Sequence, residues 1–307
     1  MKICWFGIYD KGYSRNIILM KGLQLNGVEF VECKSHEVGL KKYVDLFKKL
    51  RALKNNYDVL YCAFPLTFAV VLARLFQKRK VVVDAFYPKY NSVTTDRKTF
   101  GKYHPRALFF LFLDWFSVRF ADLVVVDTHE HEQYWSRWCD KRKIEIVPVG
   151  VYSKRTFPIE GVSNRDDGKF LVHFHGTYIP LQGVDKIIEV AEILKEDKEI
   201  VFRLVGRGQQ FSEIEKMIQK KGLSNIILEQ GVPFETLNKM INESDISLGI
   251  FGKTPKTDRV VPNKLYEALG AKKAIITKDT EAVRHLFTEE EVYLCDIEPC
   301  NIVEAIL

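Results

Sequence analysis

Apolar and polar positions along the chain follow two alternating periods. Short runs of Val, Ile, Leu and Phe recur near residues 2–6, 28–33, 58–62, 80–84, 122–126 and 144–148. Between them lie longer stretches with helical spacing, such as "SRNIILMKGLQLNG" and "LKKYVDLFKKLRALKNN". The runs "VVVDAF" and "DLVVVD" are almost continuously apolar. Such strands are buried on both faces, as in a parallel sheet covered by helices. Strand–helix alternation of this kind predicts an α/β doubly wound domain.

Residues 150–168, "GVYSKRTFPIEGVSNRDDG", interrupt the rhythm with turn-forming residues and a proline. The alternation then restarts, with strands in "KFLVHFHG", "EIVFRLVG", "NIILEQG", "DISLGIFG", "KAIIT" and "EVYLCD". Helices are predicted near 183–196, 210–222, 234–243, 263–270 and 281–287. The expectation is two domains, over 1–150 and 169–307, joined by a linker over 151–168 and facing across a cleft. A length of 307 residues suits two cores. The final "CNIVEAIL" reads as an amphipathic helix without a cap, so the C-terminal domain is expected to be truncated at residue 307.

Composition adds limits. Hydrophobic residues at 47% and charged residues at 28% describe an ordinary soluble globular protein. The six cysteines form no C-x-x-C pair, which argues against a zinc ribbon or a dithiol redox site. Cys4, Cys33 and Cys62 lie in apolar runs and read as buried free thiols, in keeping with a reducing cytoplasm. The N-terminal "MKICWFGIYDKG" has no signal-peptide pattern. The most apolar stretch, "ALFFLFLDWFSV", falls short of the roughly 20 residues that a membrane span requires.

The net charge of +6 is unevenly spread. Residues 1–150 hold 25 Lys and Arg against 15 Asp and Glu, and the remainder holds 21 against 25. A basic first half suggests an anionic partner: phospholipid, a phosphorylated acceptor or nucleic acid. Nucleic acid is disfavoured, because no aromatic–basic recognition motif is present. The aromatic run, flanked by Arg106 and Arg119, reads either as a helix packed on the sheet or as one lying at an anionic membrane surface.

Candidate chemistry lies at strand ends in the second half. Gly176, Gly206, Gly231 and Gly252 each end a strand, which puts bare backbone at the sheet edge where ligands of such folds bind. In "FHGTYIPLQGVD", amides of the loop after Gly176 and Thr177 could hold phosphate oxygens. In "VGRGQQ", Arg207 between two glycines suits a diphosphate. In "RVVPNKLYEALG", Lys264 stands in a first helical turn, where the helix dipole disfavours a cation. A bound diphosphate would offset both charges, and Glu267 could then accept from a ribose diol. The alternative is a local Lys264–Glu267 ion pair at i,i+3.

Taken in order, these loops, with "EQGVP" and the strand after "PNKLYEALG", resemble the C-terminal half of the family 4 (group 1) retaining glycosyltransferases of the GT-B fold. The first half agrees more loosely, through Gly7 and Gly12 after the first strand, "ADLVVVDTHEHEQYW" and "IVPVGV". The resemblance implies two Rossmann-like domains and transfer of a sugar from a UDP- or GDP-sugar to a glycan or lipid-linked acceptor. It implies retained configuration and no obligatory metal or other cofactor, in keeping with a chain that contains no Asp-x-Asp. It assigns Glu267 to the donor ribose and Lys264 to the diphosphate, with Asn263 at the same helix start and Arg207 a phosphate contact. Gly231 and Val232 would meet the base, and Gly7 and Gly12 the sugar.

The sequence departs from the family in three places. Arg259 stands where an acid is usual. Thr177 and Gln182 replace an arginine and a lysine, leaving Arg207, Lys264, Arg259 and Lys253 to meet phosphate charge. Phe86 stands near the usual histidine, so Asp84, Asp127 and His129 are the candidate catalytic residues. A nucleotide-sugar epimerase of the same fold, or an inactive nucleotide-sugar-binding scaffold, are the alternatives. The expected location is cytoplasmic, peripheral at the inner face of the membrane.

Overall fold

The computed structural model describes residues 1–53, 56–65, 68–162 and 168–307. Part of the expected linker, 163–167, lies outside these. The chain divides into two compact units, Met1–Val149 and Gly150–Leu307. Each is built on a six-stranded parallel sheet.

In the first unit the strands are β1 (Lys2–Gly7), β2 (Glu29–Lys34), β3 (Val59–Cys62), β4 (Lys80–Asp84), β5 (Leu123–Val126) and β6 (Ile144–Ile146). Their order is β2-β1-β3-β4-β5-β6, which reverses between β1 and β3. The helices are α1 (Ser14–Leu25), α2 (Lys41–Ala52), α3 (Ala69–Phe76), a single turn α4 (Lys89–Asn91), α5 (Pro105–Arg119) and α6 (His129–Trp135). Alternate strand positions divide between the two faces. Cys4, Phe6, Leu60, Val83 and Val126 pack with Leu46 of α2, Val70 of α3, Val118 of α5 and Trp135 of α6. Ile3, Trp5, Tyr61 and Val125 form the other face with Leu19 of α1, where Trp5 and Tyr61 stack at 4.1 Å. Cys4, Cys33 and Cys62 are buried free thiols.

In the second unit the strands are β7 (Phe170–Thr177), β8 (Ile200–Arg207), β9 (Ile226–Glu229), β10 (Ile246–Leu248), β11 (Ala274–Lys278) and β12 (Tyr293–Cys295). The helices are α7 (Val184–Ile193), α8 (Phe211–Lys221), α9 (Phe234–Glu243), α10 (Asn263–Gly270), α11 (Glu281–Arg284) and α12 (Pro299–Ile306). The order β12-β11-β10-β7-β8-β9 is that of a dinucleotide-binding sheet, with its reversal between β10 and β7. Loops that leave adjacent strands in opposite directions open a crevice at that point, so the fold itself marks where a ligand can sit.

One local expectation needs correction. The run "DISLGIFG" is strand only to Leu248. Beyond it, the Ile250 amide donates to the Thr277 hydroxyl and the Phe251 amide to the Gln182 carbonyl, which turns the chain out of the sheet. Within the expected linker, the Phe157 and Ile159 amides donate to Asn238 and Asn242 of α9, and the Arg155 guanidinium lies 3.6 Å from the centre of the Phe234 ring.

Candidate functional site

The reversal point of the second sheet gathers its polar side chains from three elements. β7 places His173 and His175 on one face, two residues apart, while Val172 and Phe174 enter the opposite core. The loop after β7 brings Gln182. Helix α10 follows Pro262, whose extended backbone is the N-cap, and has no acidic residue in its first turn. That helix contributes Lys264 and, one turn on, Glu267.

Lys264 and Glu267 do not turn to each other. The Lys264 ammonium donates to Gln182 Oε1 at 2.5 Å and to the Gly249 carbonyl at 3.3 Å, and it lies 3.6 Å from the centre of the Phe174 ring. Burial holds its pKa well below the ordinary lysine range, against the pull of Glu267. Glu267 Oε2 instead lies 2.8 Å from His175 Nε2, and His175 Nδ1 lies 3.1 Å from His173 Nε2. His173 is fully buried. Desolvation, then His175, Arg203 and Lys264, keep it neutral.

The glycines here serve packing. A Cβ on Gly206 would sit 1.9 Å from the Gly176 carbonyl oxygen, so the bare backbone at that strand end faces the adjoining strand β7, not open space. Gly183 takes a left-handed φ of 65° and brings the start of α7 against the Phe251 backbone, where a Cβ would lie 2.4 Å away. Gly176 borders the cation: its Cβ direction points at Lys264 Nζ, 3.0 Å off.

Thr177 and Arg207 pair in register at the ends of β7 and β8, and both are exposed. The Arg207 stem runs beside Gly231, the neighbour of half-buried Val232. Asn263 is half-buried at the start of α10. Arg259 folds onto its own loop, Nε donating to the Pro255 carbonyl at 3.0 Å. Lys253 is exposed and paired with Glu298 at 3.6 Å. The structure thus brings Gly176, Lys264 and Glu267 together through Gln182 and His175, and sets Arg207 beside Gly231.

In the first unit the strand-end candidates sit in different surroundings. Asp84 is fully buried and paired with Arg15, also fully buried, at 3.2 Å. Arg15 also reaches the Val147 carbonyl. Burial raises the Asp84 pKa, against the lowering pull of Arg15. Asp127 is buried, with Oδ1 2.5 Å from His131 Nδ1. His129 is exposed and lies 3.7 Å from Glu132. Gly7 is buried at the end of β1, and the exposed Gly12 donates its amide to Asp10 Oδ1 at 2.8 Å.

Sequence reading passed over His173, His175, Arg15 and His131. The two strand histidines did leave a signal, since polar residues at alternate positions of an otherwise apolar β7 must share a face. Arg15 and His131 left none, because each is defined by partners that only the folded chain supplies.

Residues 157–307 match the family Glycosyl transferases group 1. Over 144 residues the chain is 30% identical to WcaI of Escherichia coli (strain K12), assigned as a colanic acid biosynthesis glycosyl transferase. That match spans 46% of this chain and about a third, 34%, of the relative's length. Among solved structures, HepE of Anabaena in complex with UDP and glucose is similar with a TM-score of 0.70 and 14% identity, over 100% of this chain and 89% of that one. Sucrose-phosphate synthase of Thermosynechococcus elongatus is similar with a TM-score of 0.77 and 13% identity, over 99% and 88%. WaaG, a glycosyltransferase involved in lipopolysaccharide biosynthesis, is similar with a TM-score of 0.68 and 13% identity, over 99% and 90%. At such identities the solved structures speak for the fold. Residues 157–307 thus carry the likeness to the glycosyl transferases group 1 family, in a chain with the two-sheet α/β architecture of the GT-B fold.

Proposed function

We propose that the chain is a glycosyltransferase that moves a sugar from a nucleoside diphosphate sugar to a glycan or lipid-linked acceptor, with retention of configuration. The observation that carries this reading is the convergence of Lys264 and Glu267 at the reversal point of the second sheet, within the domain matched to the family. Lys264 and the exposed Arg207 would meet the diphosphate, the amides after Gly176 its oxygens, and Glu267 the ribose. Gly231 and Val232 would border the base. Basic side chains rather than a metal would stabilise the leaving diphosphate. UDP is the first nucleotide to try, since HepE is solved with it.

The test is titration with UDP and GDP, followed by incubation with the matching sugar donors with and without acceptor glycans. Binding with transfer supports the reading. Binding with neither transfer nor hydrolysis would favour the scaffold. An altered sugar formed from donor alone would favour the epimerase.

A specific observation favours a membrane-bound acceptor. Helix α5 packs Ala107, Leu113 and Val118 inward, yet leaves Leu108, Phe109 and Phe112 nearly half exposed. Arg106 and Arg119 stand at its ends. No described helix is long and apolar enough to cross a membrane. An apolar strip between cations suits the surface of an anionic bilayer. Binding to vesicles rich in phosphatidylglycerol, weakened in F109S/F112S, is the expected result; no binding at low salt would remove this reading.

A further inference from the structure

We infer that His175 is a positioning residue that makes the candidate nucleotide site selective for an intact ribose diol. The inference rests on the reading of Glu267 as the ribose ligand. A carboxylate only accepts, so with Glu267 ionised the proton between it and His175, 2.8 Å apart, belongs to His175 Nε2. Of the two His173 ring nitrogens only Nε2 has a partner among the described residues, so His173 Nε2 donates to His175 Nδ1, 3.1 Å away. His173 is held neutral by burial, which matches the single proton this order gives it. Both imidazoles are thereby locked in one tautomer, and Glu267 is fixed on the end of a chain anchored in β7.

A purely structural role predicts something different from what is present. Two histidines of β7 and a glutamate of α10 are buried together where apolar side chains would pack without desolvation cost. The chain is also incomplete, because His173 Nδ1 is buried with no hydrogen-bond partner among the described residues. An uncompensated buried acceptor lowers stability. What the arrangement does supply is a carboxylate with its rotation arrested, one helical turn from Lys264. A rigid acceptor recognises two neighbouring hydroxyls better than a mobile one, since no side-chain freedom is lost on binding.

The experiment is calorimetric titration of the full chain with UDP and GDP and with their 2′,3′-dideoxy analogues, on wild type, His175→Ala, His175→Gln and Glu267→Ala. Wild type should prefer the ribonucleotide at least tenfold. His175→Ala should lose that preference through weaker ribonucleotide binding, with dideoxynucleotide affinity unchanged within twofold. His175→Gln, whose amide can donate towards Glu267, should restore most of the preference. Equal loss for both nucleotides in His175→Ala, or no loss, would overturn the inference, as would a glutamine variant no better than alanine. If the alanine variant does not fold, His175→Asn, polar but too short to reach Glu267, takes its place with the same outcomes. Failure of the underlying reading looks different: wild type would lack any diol preference, or Glu267→Ala would keep it.

Discussion

Lys264 and Gln182, 82 positions apart in the chain, are joined by a 2.5 Å hydrogen bond from ammonium to side-chain carbonyl. Gln182 stands where the resemblance leads one to expect a lysine. A second cation there would oppose Lys264, so the two positions share one charge between them. That charge is buried, and desolvation disfavours it enough to depress the lysine pKa.

Replacement of this lysine is therefore expected to separate stability from binding. In Lys264→Met the desolvation cost disappears, although Gln182 and the Gly249 carbonyl lose a donor. The melting temperature should hold or rise, while UDP affinity falls at least tenfold. The sign of the pH effect follows. The unfolded chain keeps the lysine proton up to the ordinary lysine range, whereas the folded chain releases it earlier. Stability should rise with pH between those two points, and the methionine variant should lose this rise. Urea unfolding across alkaline pH checks it.

Glu267→Ala removes the ribose acceptor and leaves His175 without its carboxylate. Nucleotide binding should weaken by roughly 1–3 kcal/mol, read by calorimetry. Unchanged affinity would remove Glu267 from the site.

Arg15 and Asp84 form a pair with no side-chain exposure at either end. Loss of one partner from such a pair leaves a buried charge and costs about 3–5 kcal/mol. Arg15→Met alone should thus lower the urea midpoint sharply. The double variant R15M/D84N should recover a large share, since no net charge remains inside. Similar stability in the single and double variants would show that the charge is not what matters.

Asp114 of α5 is buried and accepts from the Lys89 and Tyr90 amides, at 3.1 and 2.8 Å. Burial pushes its pKa up to about 7, against the lowering effect of those amides and of Lys89. The folded state therefore holds a proton that the unfolded chain gives up near pH 4. Its contribution to stability should be full below that pH and fade as pH rises through about 7. A tenfold change in proton affinity is worth about 1.4 kcal/mol, so the fall is no more than about 4 kcal/mol. Asp114→Asn should flatten the profile between pH 4 and 8 in urea titrations.

How much of this was legible beforehand depends on range along the chain. The twelve strands of the described residues stand out because Val-, Ile- and Leu-rich runs alternate with helical spacing within a few tens of residues. Helix α10 was placed at 263–270 by its Pro-Asn start and its glycine. The apolar pattern overextends β10, because what ends the strand is the Thr277 hydroxyl on a neighbouring strand.

The sequence by itself determined the α/β alternation, the strand-end loops and the helix that carries Lys264 and Glu267, since periodicity and turn chemistry act between near neighbours. Tertiary structure alone decided who partners whom. His175 meets Glu267 across 92 positions, Lys264 meets Gln182 across 82, and Arg15 meets Asp84 across 69. Each pair spans different elements, and only the order of the parallel strands brings those elements to one edge. The physical reason is desolvation. Once buried, a carboxylate, ammonium or imidazole must find its partner in whatever the fold places beside it.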